Sequence, residues 1–191
     1  MNLKLRAAVL AAALGLSVGA AYAGSDSDTA NLFRNSHQSA GYFHDAYGYA
    51  VFPTIGKGGL GVGAAHGTGH VFEHGKRIGS VSMNQVSVGL QAGGEAYSQM
   101  IFFKDKRALE EFTSGNFEFS ADAGAIAITS AADVSAGTTG VDTSRSGGKK
   151  DAATTSEYTK GMAVFTIAKG GLMYNATVAG QKFSYKGQPV S

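Results

Sequence analysis

A stretch of alternating glycines most constrains what this chain can fold into. Positions 59, 61 and 63 are glycine, and after Ala65 the pattern continues with Gly67 and Gly69. Because the side chains of a strand alternate between its two faces, one face of this strand carries almost no side chains. A bare strand weakens a sheet unless something approaches it closely. The pattern therefore predicts a strand against which another part of the fold packs tightly.

Most of the remaining chain also has strand patterns. Residues 50–55 and 60–65 flank Gly56-Lys57-Gly58-Gly59, a glycine-rich sequence that predicts a hairpin turn. Within 78–92, Val86 and two later apolar residues alternate with polar or glycine residues. Further strands are expected at 96–103, 117–129, 163–168 and 172–179. We expect a mainly β fold, a single antiparallel domain with a barrel-like or strongly curved sheet.

Two helices are expected beside the sheet. Apolar residues recur at helical spacing from Asp26 to Tyr47 and give this N-terminal helix an aromatic face. A short inserted helix is expected from Asp105, a natural N-cap, to Thr113.

The first 23 residues have the pattern of a secretory signal peptide. Lys4 and Arg6 precede an apolar run at 7–18, and Ala21-Tyr22-Ala23 is a small-x-small cleavage site. Cleavage would leave residues 24–191 as one domain and predicts a periplasmic or secreted protein, which could be peripheral on the outer membrane. Loss of the two cations would also leave fourteen basic and fourteen acidic residues. This balance argues against a nucleic-acid partner, which would require a basic stripe.

Two further features of composition bear on function. The chain has no cysteine, which excludes a disulfide framework and cysteine-ligated metal. Residues 133–158 are polar and without hydrophobic periodicity, and they predict a long flexible loop.

The chain also contains an internal repeat. The sequence from Ala50 to Leu60 recurs from Ala163 to Leu172, with nine of ten positions identical once Pro53 is treated as an insertion. The repeat predicts two equivalent hairpins, with Lys57 and Lys169 at their tips.

Several of these segments together resemble the SYLF domain family. The resemblance extends from about Leu32 to the C-terminus, in the family's order. Its motifs are Tyr49-Ala50-Val51-Phe52-Pro53 with the following Ile55, Lys57 and alternating glycines, the run Val88 to Glu95, Ile101-Phe102-Phe103, Lys106 to Gly115, Ala136 to Gly140, and Lys169-Gly170-Gly171-Leu172.

The resemblance implies a lipid-binding protein. Eukaryotic SYLF proteins bind phosphoinositide membranes and some organise actin, whereas bacterial members are exported. Actin binding is not expected of an exported chain, so a phospholipid membrane surface is the expected partner. The aromatic face of the first helix is expected either to pack over the glycine stripe and close the core or to insert at a membrane interface. Lipid binding would combine such insertion with head-group contacts by the two lysines. The candidate lipid-binding residues are Phe33, Tyr42, Phe43, Lys57 and Lys169.

Other chemistry has little support in the sequence. Gly56-x-Gly58-x-x-Gly61 matches a dinucleotide fingerprint formally but precedes a strand instead of a helix, so no nucleotide cofactor is expected. His66, His70 and His74 are spaced by four and are weak candidates for a metal site, although exposed bystanders are the simpler interpretation. No catalytic motif is present, and we predict no enzyme and no cofactor. Two alternatives stay open: a small integral outer-membrane β-barrel, and an exported structural or interaction protein without a lipid ligand.

Overall fold

One long hairpin organises the fold. The computed structural model describes residues 25–120, 126–128, 158–169 and 178–188. Strands β1 (Gly48–Glu73) and β2 (Lys76–Phe103) pair antiparallel from end to end. They are joined by His74 and Gly75, whose φ angles are +47° and +79°. Two consecutive positive φ angles are what a tight two-residue hairpin loop requires.

Strand β1 folds back on itself. A Cβ added at Gly69 would lie 2.2 Å from the carbonyl oxygen of Val51. In a straight strand these two residues would be about 60 Å apart, at ~3.3 Å per residue. The reversal begins at Gly59, where an added Cβ would lie 2.1 Å from the carbonyl oxygen of Val62. The close approach predicted from the glycine stripe is therefore confirmed, but the partner is the first half of the same strand and not the N-terminal helix.

The other strands extend the hairpin into one curled sheet. Strands β5 (Met162–Ala168) and β6 (Lys182–Gly187) pair antiparallel with opposite halves of β2. Strand β3 (Asn116–Glu118) pairs with β6, and β4 (Ile126–Ile128) pairs with β5 in parallel. Over the described ranges the result is a six-stranded, mainly antiparallel half-barrel, which confirms the predicted fold class.

Three helices accompany the sheet in the described part of the chain, where two were predicted. The N-terminal segment forms α1 (Asp26–Arg34) and α2 (Tyr42–Asp45) instead of one helix. Between them the hydroxyl of Ser39 donates to the carbonyl of Phe33 at 2.6 Å, and this contact competes with helical hydrogen bonding. The inserted helix α3 (Lys106–Thr113) is confirmed, and Asp105 caps it by accepting from the Ala108 N–H at 2.9 Å.

Helices pack against both faces of the sheet. The inner face packs against α3 around the side chains of Phe52, Phe103, Phe112 and Phe183. Helices α1 and α2 cover one part of the outer face, around the side chains of Phe33, Tyr42, Phe102 and Phe165.

The predicted hairpin turn is misplaced. Gly56, Lys57 and Gly58 continue the ladder opposite Ala96, Glu95 and Gly94, and the strand reverses only from Gly59 onward. Glycine permits a turn but does not require one, and here β2 supplies backbone partners throughout. The predicted signal peptide at 1–23 lies outside the described residues, as does the predicted loop at 133–158 apart from Tyr158.

Candidate functional site

The aromatic candidates of the N-terminal segment belong mostly to the core. Phe33 is fully buried and Tyr42 is 6% exposed. The Tyr42 ring lies 4.9 Å from that of Phe165, and the half-buried Phe43 ring lies 4.9 Å from that of Phe102. In this arrangement α1 and α2 cover part of the outer face of the sheet, and Phe33 and Tyr42 could contact lipid only if the segment detached.

The two candidate lysines do not occupy equivalent turns. Lys57 lies within β1, opposite Glu95 in the ladder, which corrects its predicted place at a hairpin tip. Lys169 directly follows β5, and its ammonium group donates to the hydroxyl of Thr54 at 2.9 Å. Partial burial lowers the pKa of Lys169. The repeated residues after Lys169, from Gly170 to Leu172, lie outside the described residues.

The three histidines do not converge. His66 Nδ1 lies 2.8 Å from the side-chain oxygen of Asn84, and His70 Nδ1 lies 2.6 Å from a carboxylate oxygen of Asp26. The ring of His74 packs edge-on against Tyr47 at 4.3 Å. Within the described part of the chain, no three side chains of metal-ligating type come together as a site. The arrangement gives no support to a shared metal among these histidines.

The inner face carries a buried polar group. The side-chain amides of Gln99 and Gln181, both fully buried, exchange hydrogen bonds at 2.9 and 3.0 Å. The amide of Gln181 also donates to the Tyr97 hydroxyl at 3.2 Å. Burial raises the pKa of Tyr97 to about 12, although the hydrogen bond from Gln181 opposes this shift.

A surface that the sequence reasoning did not single out lies where the hairpin bends. Leu60 is 83% exposed, Val62 is 59% exposed and Val86 is 74% exposed. Ala64 is also exposed and pairs with Val86 across the ladder. We call these four residues the apolar end. Scattered exposed apolar residues are ordinary, but a contiguous group of them is typical of an interaction site.

Most of the apolar end lies on the outer face, beyond the cover of the helices. Val62 and Ala64 alternate along β1 in phase with His66 and Thr68, which are also exposed, whereas Leu60 lies across the register shift at the bend. The same phase continues to His70, which contacts Asp26 at the start of α1. Helix α1 therefore reaches this face of β1 at His70, and the strand is exposed from Thr68 to the bend.

At the apolar end an apolar side chain is exposed and the polar side chain beside it is buried. Val86 is exposed, whereas its neighbour Gln85 is 6% exposed and donates a hydrogen bond to the carbonyl of Ala179 at 2.8 Å. A sheet face in water normally shows the opposite arrangement, with the valine buried and the amide exposed. The alternating valine at 86 was visible in the sequence, but alternation alone does not say which face is buried.

The described residues include no helix long and apolar enough to cross a membrane.

Comparison with known proteins identifies relatives. Residues 84–188 match the family model Ysc84, described as "Las17-binding protein actin regulator". This family is one of binding and regulator domains. The chain is also 31% identical over 160 residues to Beta cell expansion factor A of Aeromonas veronii, with 82% of this chain covered. The matched region is 53% of that relative, so the chain spans about half of its length.

Proposed function

Because the chain belongs to the Ysc84 (SYLF) family, we propose that it is a non-catalytic protein that binds phospholipid membrane surfaces after export to the periplasm or the cell exterior. Family membership supports a lipid- or actin-related binding role at a coarse level. The choice of lipid follows from the predicted signal peptide, since an exported bacterial-type protein would not meet actin in its own cell.

The observation that carries the proposal is the exposed apolar end. Leu60 and Val62 gain little from the fold, since most of each side chain is in water. Transferring both side chains into a hydrocarbon layer would release about 2 kcal/mol or more, at ~25 cal/mol per Å² of apolar surface. Their position at the bend, away from the helices, allows a planar partner to reach them.

Vesicle co-sedimentation tests the proposal. The purified protein should bind phospholipid vesicles, and Leu60→Thr with Val62→Thr should weaken that binding by at least about tenfold, given the loss of apolar area. Threonine is β-branched and is favoured in strands, so folding should be retained. The matched control is Leu32→Gln on α1, another exposed leucine, which should bind like the wild type.

Two results would contradict the proposal. If the wild type binds neither neutral nor anionic vesicles, the protein has no lipid ligand, and the structural or interaction alternative gains support. If the double variant binds as tightly as the wild type, the apolar end is not the contact surface.

Export has its own test. The intact mass of the protein recovered from a periplasmic extract should correspond to a chain beginning at Gly24, directly after Ala21-Tyr22-Ala23. A mass equal to that of the whole precursor would contradict export by cleavage.

Fractionation of the same cells distinguishes the outer-membrane alternative, because a small integral barrel would stay with the outer membrane after high-salt washing, whereas a peripheral protein would be released.

A further inference from the structure

A row of polar side chains borders the apolar end on the outer face of the sheet. Across three strand pairs, His66 stands opposite Asn84, Asn84 opposite Lys182, and Lys182 opposite Glu118. Directly paired residues share a face, and all four of these are exposed. Within the row His66 contacts Asn84, and the ammonium group of Lys182 lies 3.6 Å from the carboxylate of Glu118. We call this set the polar row.

The polar row lies next to the pair formed by Ala64 and Val86. We infer that it contacts the head groups of an anionic phospholipid bilayer, which the protein enters end-on with its apolar end. This inference rests on the proposed function and adds to it an orientation, a class of head group and the cation that meets it. Its central element is Lys182, the lysine of the row.

The spacing along the strands fits the layers of a bilayer. From Val62 to His66 is four residues, or about 13 Å at ~3.3 Å per residue. Each head-group layer is roughly 5–8 Å thick, outside a hydrocarbon core of about 30 Å. With Val62 in the outer part of the hydrocarbon, His66 and the rest of the polar row reach the head-group level.

Strand β6 also contains Lys186, which serves as a matched control for Lys182. Lys186 lies on the same strand and in the same phase as Lys182 but pairs with Ser80, farther from the bend. Four residues again separate the two lysines by about 13 Å. That exceeds the Debye length of about 8 Å at physiological ionic strength, so an anionic surface touching Lys182 should barely attract Lys186.

Replacing Glu118 should change the affinity for anionic vesicles in the opposite direction from replacing Lys182. Its carboxylate partly neutralises Lys182 and would face the same head groups. Removing this negative charge should therefore strengthen binding to anionic vesicles.

The experiment compares three single variants of the whole protein on phosphatidylglycerol-containing and pure phosphatidylcholine vesicles. On anionic vesicles Lys182→Gln should weaken binding about fivefold, on the typical contribution of one lysine near such a surface. Lys186→Gln should weaken it less than about twofold because of screening. Glu118→Gln should strengthen it by a few fold. On neutral vesicles all three should bind like the wild type, and circular dichroism should confirm that each is folded.

The outcomes separate this inference from the proposed function. Equal losses for the two lysine variants, or no loss for either, would overturn the polar row as the head-group contact. The proposed function would survive that result if Leu60→Thr with Val62→Thr still weakened binding. Absence of vesicle binding by the wild type would contradict the proposed function itself, and the inference with it.

Discussion

Phe52 and Phe165 occupy equivalent positions of the internal repeat but lie on opposite faces of the sheet. The two strands that contain them flank the same segment of β2, where Phe52 pairs with Gln99 and Phe165 pairs with Met100. This offset of one residue reverses the faces. The ring of Phe52 therefore lies 5.7 Å from Phe183 on the inner face, whereas the ring of Phe165 packs against the N-terminal helices on the outer face.

Because β1 folds back on itself, alanine substitutions at two of its glycines should change stability by very different amounts. Gly69→Ala should lower the free energy of unfolding by about 1–3 kcal/mol or more, because its methyl group would overlap the Val51 carbonyl and the Phe52 ring. Gly56→Ala is the matched control on the same strand, since nothing lies within 4 Å of a Cβ added there. Urea unfolding measures both. Equal stability of the two variants would contradict the folded-back strand.

The packing of α1 predicts that alanine substitutions at two adjacent residues change stability by different amounts. Phe33→Ala should destabilise the protein by about 3–5 kcal/mol, as expected for a fully buried phenylalanine. Leu32→Ala, at a position that is 51% exposed, should change stability by less than about 0.5 kcal/mol. Both values come from denaturant unfolding in the absence of lipid. A neutral Phe33→Ala would show instead that the aromatic segment is undocked in solution and available to lipid.

Burial of Tyr97 predicts a loss of stability at alkaline pH. Its pKa is about 12 in the folded protein and about 10 in an unfolded chain. Between these values the folded protein holds the proton more tightly, so the stabilisation is complete below pH 10 and is lost as pH rises toward 12. Tyr97→Phe removes this titration, and its unfolding midpoint in urea should fall less between pH 9 and pH 11 than that of the wild type. An equal decrease of the urea midpoint in both proteins would contradict the raised pKa of Tyr97.

The sequence predicted the class of fold and the close approach of the glycine stripe. Both depend on the alternation of residue types within a strand, which does not depend on which strands pair. A face without side chains must in addition be covered closely in a stable sheet. The position of the hairpin turn was wrong for a related reason. Gly56 to Gly58 could form a turn or continue a strand, and their partners on β2 lie more than thirty residues away in sequence.

The N-terminal helix and the site illustrate what a pattern leaves undetermined. Helical spacing of apolar residues continues past Arg34, but the Ser39 hydroxyl binds the Phe33 carbonyl and breaks the helix there. At the bend, Val86 and Gln85 alternate in the same way whichever of them is buried. The choice is made by contacts from distant segments, in this case the Ala179 carbonyl that accepts from Gln85. The exposed apolar end could therefore be found only in the structure.

The most direct test of membrane binding through the apolar end is the fluorescence of a single tryptophan. The chain has no tryptophan, so Leu60→Trp and Leu32→Trp each place one reporter at an exposed leucine, on the bend and on α1 respectively. With phospholipid vesicles, the emission of Leu60→Trp should shift to shorter wavelength and be quenched by brominated acyl chains, while that of Leu32→Trp should stay unchanged. A shift for Leu32→Trp with none for Leu60→Trp would place the membrane contact on the N-terminal segment and contradict binding through the apolar end.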